Sequence, residues 1–296
     1  MIIGTSSRVR LPRWLRRLSK NYAVVPALVF LAALVLVAIF APYLAPHDAD
    51  QGAIAKRLLP PVWQEGGSTE HLLGTDALGR DILSRLLLGA RVSLVVGLFG
   101  TLFGAVFGVT VGLLAGYRGG WIDDALMRLA DVQLAFPFIL LAIALLVVLG
   151  AGIVNLVVVL GLSAWVTFAR VTRGQVMALR DLEFVEALHA LGASDARILV
   201  HTILPNVSSA LIVVASFAFA EMILAEAALS FLGLGVPPSV PSWGGMVAEG
   251  RDYIIFAWWV STLPGLVIAA TVLAVNVVGD WVRDVLDTRL EGSGAG

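Results

Sequence analysis

Six runs of apolar residues divide this chain, each of the order of the roughly 20 helical residues needed to cross a bilayer core of about 30 Å. They predict membrane helices over residues 22–44, 92–117, 134–149, 153–169, 207–232 and 254–278. Between the fourth and fifth runs lies a polar stretch that keeps a helical pattern. Phe184, Ala187, Leu188 and Leu191 recur at helical spacing, and Gly192 follows where a left-handed C-cap would end that helix. Ser194 is placed to cap a second short helix, to which Ile198, Leu199 and Ile203 give an apolar side and which Pro205 stops just before the next span. The expected product is a helix, a tight turn and a second helix that project from the bilayer, with Glu186, Asp195 and Arg197 available to a partner. The plainer alternative is a connecting loop lying on the membrane surface.

Composition agrees with this pattern. With 59% hydrophobic residues, 14% charged residues and a mean hydropathy of +0.92, a soluble globule of 296 residues would have too little polar surface. The chain is therefore expected to be an all-α, multi-pass membrane protein with six transmembrane helices. Residues 1–20 carry Arg8, Arg10, Arg13, Arg16, Arg17 and Lys20 and no carboxylate, which predicts a cytoplasmic N-terminus. A secretory signal peptide is disfavoured, because the apolar stretch is longer than a usual h-region and no small-x-small cleavage site follows it. The expected organisation is a basic cytoplasmic segment at 1–21, a first helix at 22–44 and an extracytoplasmic segment at 45–91. A five-helix domain follows at 92–280, containing the cytoplasmic segment 181–205, and a cytoplasmic tail occupies 281–296. Arg170, Arg173, Arg180 and Arg197 are offset by Asp181, Glu183, Glu186 and Asp195, so the orientation rests on the N-terminal cluster.

No catalytic constellation is visible. The chain has no cysteine, and His47, His71, His189 and His201 lack a ligand spacing, so no metal site is expected. A phosphate-binding P-loop needs Gly before its Lys, whereas Lys20 follows Ser19 and Lys56 follows Ala55. Any ATP hydrolysis must come from a partner, and no nucleic-acid partner is expected.

Gly100, Gly104, Gly108, Gly112 and Gly116 form a small-residue stripe along the second span. It suits a close helix contact within the chain, the alternative being a mobile or inter-subunit face. Glu221 and Glu226 in the fifth span, and Asp131 at the mouth of the third, are costly at membrane depth and should face protein or water. Either Glu226 belongs to a gate or aqueous path, or it is a hydrogen-bonded packing element near the outer surface. Asp76, Arg80, Asp81 and Arg85 suggest a salt-bridge and capping cluster within an outer cap, against which an external protein would rest. Pro237, Pro238, Pro241 and Trp243 suggest a rigid turn or re-entrant piece at the outer interface, with Trp258 and Trp259 as belt residues.

Glu186-Ala187-Leu188, Gly192 and Ile203-Leu204-Pro205 resemble the EAA loop of permease subunits of bacterial ABC importers, with Leu188 where alanine is usual. The resemblance implies a coupling helix seated in a groove of the ATPase. It assigns docking to Glu186, Ala187, Leu188, Gly192, Ala193, Ser194, Asp195, Arg197, Leu204 and Pro205. A second resemblance is narrower. Gly74-Thr75-Asp76, Gly79-Arg80-Asp81 and the residues from His71 to Arg85 around them are similar to the signature of C-type permeases of dipeptide, oligopeptide and nickel importers. Matches also run through Met127–Asp131, Glu226–Gly235, Pro241–Gly244 and Gly279–Asp284. Together they imply a type I importer permease fold and four kinds of contact: a homologous B-type permease, two ABC ATPase subunits, an extracytoplasmic substrate-binding protein and the lipid bilayer. ATP and Mg would sit on the ATPases, with no cofactor on this chain. The rival expectation is a self-sufficient channel or ion-coupled secondary transporter that uses Glu221 and Glu226, although no inverted repeat is visible.

Overall fold

The structure is a computed structural model that describes residues 22–286. The basic segment 1–21 and residues 287–296 lie outside the described residues. Among the described residues ten α-helices follow in order: α1 (Val24–Leu44), α2 (Ile82–Arg118), α3 (Gly120–Leu134), α4 (Phe138–Leu149), α5 (Ile153–Arg180), α6 (Glu183–Ala190), α7 (Asp195–Ile198), α8 (Leu204–Phe231), α9 (Trp243–Gly250) and α10 (Trp259–Leu286). A π-helical turn, Leu199–Ile203, joins α7 to α8. Among the described residues the only β pairing is an isolated bridge between Thr75 and Asp81.

Five helical stretches are long and apolar enough to cross a membrane: Val24–Leu44, Ile82–Arg118, Ile153–Arg180, Asp195–Phe231 and Trp259–Leu286. The remaining expected span, the third in chain order at residues 134–149, is instead divided. The chain bends by 88° between α3 and α4, which have 15 and 12 residues, so only the pair together could make a crossing. Pro137 stands at the break as the N-cap of α4, where its missing N–H breaks no helical bond.

The helix boundaries also differ from the hydropathy pattern. Helix α2 begins at Ile82, well before residue 92, because the Asp81 carboxylate caps it by accepting from the Ser84 N–H at 2.8 Å. Its 37 residues make a rod of about 55 Å at 1.5 Å per residue, longer than the bilayer core. Helix α5 runs on to Arg180 and α10 to Leu286, so residues 281–286 are helix rather than tail. Hydropathy marks the apolar part of a helix, and these ends are extensions of it that carry charges such as Arg85, Arg91, Arg173, Arg180, Asp280 and Arg283.

The glycine stripe of α2 faces α5. A Cβ at Gly104 would lie 2.7 Å from Ala164 Cβ, one at Gly112 would lie 2.5 Å from the Ala169 carbonyl oxygen, and one at Gly108 would overlap the Trp165 carbonyl. The stripe therefore forms an intramolecular seam, in which the absence of side chains lets two backbones touch where lipid provides no hydrophobic drive. Helix α1 packs on α2 and α10, and α8 packs between α10 and α2. At the end of the bundle that carries Gly74, Ile82, Ile223, Trp243, Met246 and Trp259 form a buried cluster. At the opposite end Val176, Val185, Ile198, Ile203 and Val207 form another.

Trp259, expected as a belt residue, is instead inside the bundle, as is Trp243. Both are buried, and their indole N–H groups donate to the carbonyls of Leu86 and Thr75, each at 3.1 Å.

Candidate functional site

Residues 181–205 fold as the sequence suggests around one backbone feature. Gly192 has φ +80, its N–H donates to the His189 carbonyl at 2.9 Å, and the Ala193 N–H donates to the Leu188 carbonyl at 3.0 Å. These two bonds are a Schellman termination of α6, and Leu188 and Ala193 both pack against the same buried cluster. Glycine is favoured there because its φ is positive, and an added Cβ would meet nothing within 4 Å.

The inward face of α6 is set only in part by the residues expected, Leu188 being the one retained. Val185 is fully buried and Leu188 half-buried, whereas Phe184, Ala187 and Leu191 are exposed, Leu191 at 83%. Val185 and Leu188 are also three residues apart, so the spacing was present in the sequence alongside the competing one. The exposed surface thus combines Glu186, Ala187, Leu191, Gly192, Ser194 and Arg197.

Two expectations for the second helix are corrected. Ser194 has extended N-cap dihedrals and its carbonyl accepts the first bond, from the Ile198 N–H at 3.0 Å, but its hydroxyl makes no capping bond. Pro205 does not stop a helix. It lies in the first turn of α8, just after the π turn, and Asp195–Phe231 is one continuous helical stretch. Proline has no N–H and its ring crowds the carbonyl one turn earlier, and the wider π turn is where the helix absorbs that conflict.

The helix pair is anchored to the bundle by a polar contact. The Tyr117 hydroxyl, at the end of α2, donates to Asp195 Oδ1 at 3.2 Å and lies 3.0 Å from His189 Nε2. Arg180 at the end of α5 donates to the Gly116 carbonyl at 2.8 Å. Tyr117, Arg118, Arg180, Asp181, His189 and Asp195 line a polar hollow of about 340 Å³. Asp195 is thus engaged in holding the segment's shape. Tyr117 was not singled out in the sequence, because it closes a run that reads as membrane span, and Arg180 entered only in the charge balance of the polar segment.

The acidic residues are dispersed. Glu226 is completely buried and accepts from Ser230 Oγ at 2.8 Å and Ser93 Oγ at 3.2 Å, so it joins α8 to α2 in the packing arrangement. Glu221 is exposed on α8. Asp131 is at the surface of α3 and pairs with Arg170 of α5 at 2.5 Å.

At the Gly74 end, Asp76, Arg80 and Arg85 form a buried ionic cluster whose fourth member is Glu249 of α9. Arg80 Nε lies 2.6 Å from Asp76 and Arg80 Nη2 lies 2.7 Å from Glu249, while Arg85 reaches both carboxylates. Two cations and two anions balance, which is what burial of such groups requires. Gly74 and Gly79 turn the chain at φ +81 and +76. Asp81 caps α2 and receives His71 Nδ1 at 3.0 Å. This cluster and the α6–α7 turn lie at opposite ends of α2. Beside the cluster, the Lys56 ammonium at 2.6 Å holds the exposed Glu70 carboxyl below its usual pKa.

The family model of binding-protein-dependent transport system inner membrane components matches residues 108–292, and that of the N-terminal TM domain of oligopeptide transport permease C matches residues 12–61. The di/tripeptide transport system permease protein of Pseudomonas aeruginosa is 42% identical over 273 residues, covering 92% of this chain and 90% of that protein. The glutathione transport system permease protein of Escherichia coli O157:H7 is 42% identical over 277 residues, 94% of this chain and 90% of its own length. Its counterpart from Pectobacterium atrosepticum is 43% identical over 276 residues, covering 93% and 90%. Among solved structures, a chain of the inward-facing MetNI methionine ABC transporter superposes with a TM-score of 0.56 at 20% identity, over 69% of this chain and 97% of that one. That last likeness concerns the fold alone.

Proposed function

Because the chain belongs to the family of binding-protein-dependent transport system inner membrane components, we propose that it forms one half of the translocation path of an ATP-driven importer for peptides or a closely related small solute. The other half is a homologous B-type permease. Two ABC ATPases carry ATP and Mg on the cytoplasmic side, and a substrate-binding protein delivers solute from outside. Both ends of the chain face the cytoplasm in this arrangement. The self-sufficient channel or secondary transporter is not favoured, since the relatives are named as transport-system permeases and Glu226 is sealed by serine hydroxyls.

The observation that carries the proposal is the Schellman-terminated turn at Gly192. It presents Glu186, Ala187 and Leu191 on a short helix that is tied at its base to two membrane helices. Closure of an ATPase dimer beneath it moves α6, the turn and α7 as one piece, through Tyr117 to α2 and through the π turn to α8, and the spans rock towards the outside. Glu186 and Arg197 supply polar contacts, and Ala187, Leu191 and Gly192 the close fit. Leu188, Ala193, Leu204 and the first-turn Pro205 hold the segment from beneath.

The test is purification of the tagged chain from its native host in mild detergent, followed by identification of co-purifying proteins and an ATPase assay. A second multi-span permease with P-loop ATPases is the expected result. A chain that purifies alone and moves solute in vesicles without ATP would overturn the proposal.

A further inference from the structure

Two of the four histidines, separated by 23 intervening residues, meet in the fold. His47 lies just beyond the end of α1, and His71 lies in the loop that leads to the cap of α2; their ring centroids are 4.7 Å apart. Glu70 stands beside them. One ligand atom from each of His47, Glu70 and His71 lies within 4.8 Å of the other two.

His71 is 5% exposed and its Nδ1 faces the Asp81 carboxylate at 3.0 Å. A carboxylate only accepts, so Nδ1 carries the proton and Nε2 is left with a free lone pair. That Nε2 is buried without a hydrogen-bond partner, and so is His47 Nδ1, whose nearest charge is Asp81 at 3.8 Å, beyond hydrogen-bond reach. Two buried imidazole nitrogens without hydrogen-bond partners, on rings 4.7 Å apart and one of these rings oriented by a carboxylate on its far nitrogen, are the features of a histidine metal site with its supporting shell. Lys56 occupies only Oε1 of Glu70, which leaves Oε2 as a third donor.

We infer that His47, His71 and Glu70 bind a divalent transition-metal ion of the zinc type, with one coordination position left for water. Two imidazoles and a carboxylate suit such an ion better than magnesium or calcium, which take oxygen donors. Bonds of about 2.0–2.2 Å need the donors somewhat closer than they stand. The required movement falls on the accessible side chains, His47 at 32% and Glu70 at 53% exposure, and not on His71. The ion would fasten the segment that follows α1 to Asp81, and so to the start of α2.

The full chain, purified in mild detergent with whatever subunits accompany it and without a polyhistidine tag, is stripped with chelator and titrated with Zn²⁺ and, separately, Co²⁺. The expected results are one ion per chain, an intense visible Co²⁺ spectrum of four-coordinate type and a higher unfolding temperature with Zn²⁺. The H47A/E70Q variant removes only accessible donors and should keep its metal-free unfolding temperature while losing Zn²⁺ affinity by at least about 100-fold. Substoichiometric uptake by the unaltered chain, or equal uptake by the variant, would overturn the assignment, as would binding that disappears only when His189 and His201 are replaced.

Discussion

At Gly192 nothing surrounds the missing side chain, so what a substitution changes there is conformation and not packing. A non-glycine residue held in the left-handed region costs about 1–2 kcal/mol, and β-branched valine tolerates it worst. Gly192→Val should therefore leave the protein in the membrane at normal abundance while reducing uptake far more than Gly192→Ala does. This is measured by transport of a labelled peptide alongside quantification of the chain in membranes; normal uptake by the valine variant would remove Gly192 from the coupling role. Such local features were legible in the sequence, since a left-handed helix end at Gly192 and a capping Asp81 depend on neighbours only. Glu249 was not legible. Its partners Arg80 and Arg85 stand 169 and 164 residues away, and only the packing of α9 against α2 brings them together. The meeting of His47 and His71 was hidden for the same reason.

The seam between α2 and α5 decides how these elements respond to change. A valine at Gly112 would place its Cβ 2.5 Å from the Ala169 carbonyl oxygen and 2.6 Å from Thr172 Cβ, and neither backbone nor a fully buried threonine can yield cheaply. Gly112→Val should lower the detergent unfolding temperature, whereas Gly174→Ala, on α5 with no atom within 4 Å of its added Cβ, should change it little. Equal melting of the two variants would refute the seam. The four-residue period of the stripe made a close contact readable, but not its partner. Likewise, hydropathy located each crossing except the one broken at Pro137, because an apolar window carries no information about a bend of 88°.

For the molecule as a whole, Tyr117 is the point at which the projecting helix pair meets the long α2 rod. Tyr117→Phe keeps the ring and removes the hydroxyl contacts to Asp195 and His189. In the assembled importer it should preserve ATP hydrolysis while lowering the solute imported per ATP consumed. An unchanged ratio in reconstituted vesicles would place the transmission elsewhere. The architecture, a bundle with a polar projection at one end and an ionic cluster at the other, followed from composition and pattern; which contacts tie the projection to the bundle did not.

The π turn at Leu199–Ile203 gives the long helix one more residue in that turn than α-helical winding needs. Removing one residue there, Val200 for instance, would let the turn close at ordinary α-helical winding with the flanking segments still in phase, so Asp195 should stay at Tyr117 and Glu226 at Ser93. A deletion in the regular helix beyond, at Ile212 for instance, has no wide turn to absorb it and would rotate the two segments against each other by about 100°. The extra residue is thus slack held at one point of the helix, and only a deletion placed outside it should disconnect the two ends of the protein.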